Sequence, residues 1–255
     1  MSLKMTFLGT GAAFTLGEGN FQSNVLLESN GDSLLLDAGS DLRFSLFELN
    51  RSYHDIRNVY ISHLHNDHIG GLEWLALTTF FDKTYQGKPM LFISERIVDE
   101  LWDHSLSGGL NTLTLQETSL DTYFNVHAIQ EGQPFSWQDI RFKLIQVVHV
   151  YNNDQLMPCY GLLFSTGSTR IFFSTDSQYN PYLLKQLNRH VDLIFHDCET
   201  QTLKTGVHAH YTELKQLPAE IKKKMWLYHY NPGTLPDAKA EGFLGFVCKG
   251  QCFNF

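Results

Sequence analysis

Cysteine is scarce in this chain, with four residues in 255. Cys159, Cys198, Cys248 and Cys252 are scattered, apart from one Cys-x-x-x-Cys near the C-terminus. No second pair completes a zinc ribbon, and the spacing is not that of a redox Cys-x-x-Cys. They read as free or buried thiols of a reducing compartment, so a cytoplasmic location is expected. Long hydrophobic runs are also lacking. No apolar stretch could span a bilayer, and a glycine turn arrives by Gly9, before any apolar signal core. No membrane partner is expected. Repeats, low-complexity stretches and long linkers are missing too, so residues 1–255 read as one domain. Basic charge is thin: the formal net charge is −8. The one short basic run, Lys222-Lys223-Lys224, reads as a solvated helix end. An acidic chain repels a polyanion, which makes a nucleic-acid polymer a less favoured partner than a small molecule.

What is present is ordinary in bulk and unusual in one residue type. Hydrophobic content of 43% with 18% charged residues suits a folded chain with a sizeable core. The 19 Phe and 11 Tyr are expected mostly inside it. Histidine is abundant, at 12 residues, and it is clustered.

Hydrophobic periodicity divides the chain into short elements. Strands are predicted at Leu3–Leu8, Ser23–Glu28, Ser33–Leu36, Asn58–Ile61 and Met90–Ile93. Further strands are predicted at Asn125–Ile129, Ile140–Val148, Tyr160–Phe164, Arg170–Phe173, Leu193–His196 and Trp226–Tyr228. Asn30-Gly31 marks a tight hairpin, because both positions of a primed turn need positive φ. Helices are predicted at Ser40–Leu49, Asp67–Phe81, Glu95–Trp102, Pro181–Leu187 and Thr212–Lys223, the last broken at Pro218. Strands that alternate with helices but also form hairpins imply an α/β chain of mixed sheets with helices outside.

The chemistry centres on His63-Leu64-His65-Asn66-Asp67-His68, which follows a strand and precedes a helix. Imidazole nitrogen and carboxylate oxygen suit zinc, and alternate residues leaving a strand project to one side. His63 and His65 could therefore hold one ion, while Asp67 and His68 reach a second. A solvated surface cluster would not be expected between apolar flanks at such a junction. More donors lie just past other strands: His149 after Ile145–Val148, Asp176 after Ile171–Thr175, and His229 after Trp226–Tyr228. Singly, each could be a core histidine or a capping aspartate. Their shared placement at strand ends is how α/β scaffolds build sites.

His-x-His-x-Asp-His followed by separated His, Asp and His resembles the metallo-β-lactamase superfamily over nearly the whole chain. Thr6-Phe7-Leu8-Gly9-Thr10-Gly11, Ser23-Asn24 and Leu36-Asp37-Ala38-Gly39 are similar to the opening of its ribonuclease Z-like branch. The resemblance implies an αβ/βα sandwich of two mixed sheets with outer helices. It also implies a dinuclear, metal-dependent hydrolase, with zinc as the expected metal and manganese as the alternative. His63, His65 and His149 would hold the first ion. Asp67, His68 and His229 would hold the second, and Asp176 would bridge them. Asp67 would also orient the attacking water. A hydroxide bridging two ions is a strong nucleophile at neutral pH, and the ions stabilise charge on a phosphoryl oxygen.

A later segment resembles the ribonuclease Z arrangement in which a Glu orients a His that protonates the leaving oxygen. By position in His196-Asp197-Cys198-Glu199-Thr200 and His208-Ala209-His210-Tyr211-Thr212, Asp197 stands for that Glu and His210 for that His, with His208 a close rival. A His with a carboxylate partner suits proton donation near neutral pH. Ala38-Gly39-Ser40-Asp41-Leu42-Arg43 resembles the compact phosphodiesterases of the branch, which include the anti-Pycsar cyclic nucleotide enzymes. These imply a small phosphodiester substrate, foremost a cyclic nucleotide, and a homodimer. Two alternatives stand beside this. A tRNA 3′-processing endonuclease would carry a long Gly/Pro-rich basic arm, and Tyr151–Arg170 holds only a short turn. A non-catalytic metal-binding protein of the same fold would bind ions and cleave nothing.

Overall fold

The computed structural model describes residues 2–16, 19–114 and 116–255. Its first sheet contains β1 (Lys4–Phe7), β2 (Val25–Ser29), β3 (Asp32–Leu36), β4 (Asn58–Ile61), β5 (Met90–Ser94) and β6 (Asn125–Ile129). The second contains β7 (Pro134–Trp137), β8 (Ile140–Gln146), β11 (Tyr160–Thr166), β12 (Thr169–Phe173), β13 (Leu193–Asp197), β14 (Met225–Tyr228) and β15 (Gly245–Phe246). Between β8 and β11 lies a small hairpin of β9 (Tyr151–Asn152) and β10 (Gln155–Leu156). The last strand, β16 (Cys252–Asn254), returns to the first sheet beside β1. Both large sheets are mixed. β1, β2 and β3 pair antiparallel, then β3 to β6 run parallel. β7, β8, β11 and β12 pair antiparallel, then β12 to β15 run parallel.

Period-two alternation builds three hydrophobic layers, because successive strand residues face opposite sides. Phe7, Leu27, Leu36 and Tyr60 face inward and meet Phe142, Phe164, Phe173 and Phe195 of the other sheet. Leu26, Leu35, Val59 and Leu91 face outward, against Leu42, Leu46, Leu72 and Leu75. These come from helices α1 (Leu42–Glu48) and α3 (Leu72–Phe81). On the far side, Phe172, Ile194 and Leu227 pack on Leu184, Leu187, Leu214 and Ile221. Those belong to α7 (Pro181–Asn188), α8 (Tyr211–Leu214) and α9 (Ala219–Lys222). Each such side chain contributes about 1.5–3 kcal/mol when fully buried. The expected sandwich of two mixed sheets with outer helices is thus the observed architecture.

Asn30 and Gly31 turn the β2–β3 hairpin with φ of 52° and 78°, as a primed turn requires. The helix predicted at Asp67–Phe81 is two helices, α2 (Asn66–Ile69) and α3. Gly70-Gly71 separates them because the chain there runs against the β3 exit loop. A Cβ on Gly71 would lie 2.5 Å from the Gly39 carbonyl oxygen. Five strands are not among those predicted from the sequence: β7, β9, β10, β15 and β16. Each has two to four residues and lies at a sheet edge or in the separate β9–β10 hairpin, too short for a two-residue period to stand out. The helix predicted at Glu95–Trp102 begins later, as α4 (Val98–Leu101), and continues through a π turn into α5 (Ser107–Leu110). α6 (Leu120–Tyr123) precedes β6. Cys159 and Cys198 are buried, Cys248 and Cys252 are exposed, and all four thiols are free. No helix among the described residues is long and apolar enough to cross a membrane.

Topology decides where side chains converge. β8, β12, β13 and β14 run in one direction, so their C-terminal ends share an edge of the second sheet. The exits of β3 and β4 meet that edge. Tyr60 Oη donates to the Tyr160 carbonyl at 2.8 Å, and Tyr160 N donates to the Ser62 carbonyl at 3.2 Å. The sheets are therefore joined beside the loop that carries His63.

Candidate metal centre

His63 and His65 leave β4 on the same side, and His149 arrives from the end of β8. His63 and His149 are buried and His65 is half-buried. His65 Nδ1 lies 3.1 Å from His63 Nε2 and 3.1 Å from His149 Nε2. Three imidazole donors thus converge on one point. Around a zinc ion with Zn–N of about 2.0–2.1 Å, tetrahedral donors stand roughly 3.3 Å apart. Asp176 Oδ2 sits 3.9 Å from His63 Nε2 and 3.7 Å from His149 Nε2, closing the group.

The same oxygen faces a second group. Asp176 Oδ2 lies 3.2 Å from His68 Nε2 and 3.3 Å from His229 Nε2. Asp67 Oδ2 lies 3.2 Å from His68 Nε2 and 3.8 Å from His229 Nε2. Within each group the ligating atoms fall within 4.8 Å of one another. Asp67 Oδ2, His68 Nε2, Asp176 Oδ1 and His229 Nε2 are buried without a hydrogen-bond partner. Leaving one such group unsatisfied costs about 1–3 kcal/mol. Divalent cations shared between the two groups fit these atoms, because borderline metals accept imidazole nitrogen and carboxylate oxygen together.

Hydrogen bonds behind the donors aim their lone pairs inward. His63 Nδ1 donates to Ser62 Oγ at 3.0 Å, and Ser62 Oγ donates to Asp37 Oδ2 at 2.8 Å. His68 Nδ1 donates to the same Asp37 oxygen at 2.8 Å. His149 Nδ1 donates to the Val207 carbonyl at 2.8 Å. Each bond fixes a tautomer and presents Nε2 to the cluster. Backbone strain aims others. Asp37, Thr175 and His229 have φ of 61°, 55° and 60°, and each follows a strand at this edge. Such conformations cost of order 1–3 kcal/mol in a non-glycine residue and collect at functional sites.

Charge divides the two groups. Burial first, then neighbouring imidazoles, pulls His63 well below the ordinary histidine value. Burial also lowers His65 and His149, so the first group is a set of neutral donors. Burial opposes a charge on His68 as well, but Asp176, Asp67 and Asp37 outweigh it and hold His68 well above the usual range. Three carboxylates around one imidazole call for positive charge at that point.

Beside the second group, His208 Nδ1 donates to Asp197 Oδ2 at 2.7 Å. The His208 ring lies 5.2 Å from the His229 ring and 4.9 Å from that of His149. Burial works to lower its pKa, but Asp197 prevails and pushes it up to about 10. His210, placed opposite Asp197 by its position in the sequence, is elsewhere. Its Nε2 donates to the Gln201 carbonyl at 2.9 Å, and its Nδ1 faces Thr212 Oγ1 at 2.8 Å. The Asp197–His210 pairing is corrected to Asp197–His208. Strand and helix directions cause the difference, since His210 caps α8 and must turn toward that helix.

A profile of the family described as "Anti-Pycsar protein Apyc1" matches residues 3–253. The chain belongs to that family. The anti-Pycsar protein Apyc1 of Paenibacillus harenae is 37% identical over 231 residues, covering 89% of this chain and 90% of that one. The metallo-β-lactamase fold protein YhfI of Bacillus subtilis superposes with a TM-score of 0.76 at 19% identity, covering 100% of each chain. A diphosphatase of the PhnP family superposes with a TM-score of 0.75 at 18% identity, covering 100% of this chain and 98% of that one. These two establish a metallo-β-lactamase fold.

In this Apyc1 family member, the residues that the sequence reading passed over are the supporting ones. Asp37 enters the sequence reading only within the Leu36-Asp37-Ala38-Gly39 resemblance and Ser62 not at all, yet they orient His63 and His68. An aspartate on the last step of a buried strand, followed by Ala-Gly, was the available signal. Val207 acts through its carbonyl, which no side-chain pattern could reveal.

Proposed function

We propose that this chain is a phosphodiesterase whose substrate is a small phosphodiester, foremost a cyclic nucleotide. The observation that carries the reading is two donor groups sharing Asp176 with the Asp197–His208 pair beside them. The anti-Pycsar relatives and a net charge of −8, unsuited to a polyanion, support it. We take residues 1–255 as one catalytic domain. His63, His65, His149 and Asp176 would hold the first ion, a nitrogen-rich set that suits zinc. Asp67, His68, His229 and Asp176 would hold the second, where equal nitrogen and oxygen suits zinc or manganese. Bound there, the ions would supply an activated water and would offset charge on the phosphoryl oxygens.

The chain's own groups complete the reaction. Asp67 would orient the water toward phosphorus. As the new P–O bond forms, one ester P–O bond breaks, and His208 would pass a proton to the departing oxygen. Asp197 holds Nδ1 of that ring, so the proton would leave from Nε2. A general acid of this kind contributes about 10²–10⁴-fold. A homodimer is the proposed assembly: Leu16, Phe44 and Phe47 line an exposed groove that a second copy would cover.

The test is hydrolysis of 2′,3′- and 3′,5′-cyclic nucleotides beside precursor tRNA, with zinc or manganese, a chelator control and Asp67→Ala. Chelator-sensitive opening of a cyclic nucleotide, lost in Asp67→Ala and with tRNA untouched, is the expected result. Trimming of tRNA alone would overturn the substrate class, and metal binding without any cleavage would overturn the enzyme reading.

A further inference from the structure

The segment Thr200–His208 has no hydrophobic anchor of its own. Gln201 to Gly206 are all exposed, Leu203 at 80%. Yet the segment touches the metal centre at several points. At its start, Thr200 N and Gln201 N donate to Asn231 Oδ1 at 2.9 and 3.2 Å, two residues beyond His229. At its end, the Val207 carbonyl takes the His149 Nδ1 proton, and His208 pairs with Asp197. Just after it, Ala209 N donates to the Ser177 carbonyl at 2.7 Å, next to Asp176.

Under the segment lies Glu199, a carboxylate only 2% exposed. Its Oε1 accepts from Gln201 Nε2 at 2.7 Å, and both oxygens approach Thr205 N at 3.1–3.2 Å. Its own backbone is held in place, with Glu199 N donating to the Ala209 carbonyl and Tyr211 N to the Glu199 carbonyl, each at 2.9 Å. The loop is therefore wrapped around one buried acid. Charge-assisted bonds of this kind are roughly twice as strong as neutral ones. They replace the apolar packing the segment lacks.

We propose that Glu199 is a positioning residue that fixes the Thr200–His208 loop and so sets both the orientation of His149 and the reach of His208. The proposal rests on the reading of His149 as a metal ligand and of His208 as proton donor. It adds a residue that acts on both through one loop.

The test uses the full chain, loaded with zinc, as Glu199→Ala and Glu199→Gln. Two readouts are taken: zinc affinity by competition with a chromophoric chelator, and the ratio of rates on esters with alkoxide and p-nitrophenolate leaving groups. In Glu199→Ala, zinc affinity is expected to fall about 10–100-fold, as for lost outer-shell support. The alkoxide substrate is expected to slow at least tenfold more than the p-nitrophenolate one. Glu199→Gln keeps an acceptor for Thr205 N and the same volume, so it should fold and show both changes in smaller measure. Wild-type affinity and leaving-group ratio in a folded Glu199→Gln, with Glu199→Ala either folded and unchanged or unfolded, would overturn the proposal. If no phosphodiester is cleaved by the wild type, the function reading fails alone, and the zinc affinities still decide whether Glu199 supports His149.

Discussion

Asp37 accepts from Ser62 N, Ser62 Oγ and His68 Nδ1, each at 2.8 Å, from a backbone held at φ 61°. Asn in its place keeps one acceptor but cannot serve all three donors. Asp37→Asn is expected to weaken metal binding about 10–100-fold while leaving a folded chain. A chelator titration matching the wild type would remove Asp37 from that role. The two histidines of His208-Ala209-His210 should also separate. His208→Ala is expected to retain metal and to slow esters with poor leaving groups about 10²–10⁴-fold, with p-nitrophenyl esters far less affected. His210→Ala should lose less, and equally for both ester types, because its ring is spent on Gln201 and Thr212. Leaving-group-selective loss in His210→Ala instead would return the acid to that residue.

At the scale of elements, the site is held by loops pressed together rather than by any one helix. Ala38 N donates to the His68 carbonyl at 2.7 Å, and Gly71 N to the Ala38 carbonyl at 2.8 Å. The β3 exit thus clamps the β4 exit, and glycine is what allows the approach. A Cβ on Gly39 would fall 2.4 Å from the Asp67 carbonyl oxygen and 2.6 Å from Gln22 Oε1. Gly39→Ala is expected to cost about 1–3 kcal/mol through overpacking. For a chain of this size that is a drop of about 2–4 °C in Tm per kcal/mol, readable by thermal denaturation. An unchanged Tm would mean that the two loops can separate freely. The same clamp explains why the predicted Asp67–Phe81 helix is interrupted at Gly70-Gly71.

For the whole molecule, metal and protons compete for the same donors. Chelator is expected to lower Tm and added zinc to restore it, since a ligand at 100 times its Kd stabilises by about 2.7 kcal/mol. In chelated protein the pH dependence follows from the shifts. His63, His65 and His149 are lowered on folding, so the unfolded chain binds more protons below about pH 6.5, the ordinary imidazole value, and stability is lost as the pH drops through that range. His68 and His208 are raised, so their contribution is complete below about pH 6.5 and fades as pH climbs toward their folded values. Chelated protein should be most stable near pH 6–7, and a Tm that rose steadily from pH 5 to pH 9 would contradict these shifts.

Eleven of the strands, the Asn30-Gly31 hairpin and the donor set around His63–His68 were legible in the sequence. Each is written in neighbouring residues: a two-residue period, a turn dipeptide, alternate side chains leaving a strand. The later donors were legible by the same logic, as polar residues ending apolar strands. Their meeting was not, since His149 and His65 lie 84 positions apart and are joined by two sheets packing face to face. Only the tertiary structure decided that Asp197 meets His208, that Asp37 braces His68, and that Glu199 sits inside its loop. Those choices depend on backbone direction and on which buried polar atoms must find partners, and neither is a property of a short stretch of chain.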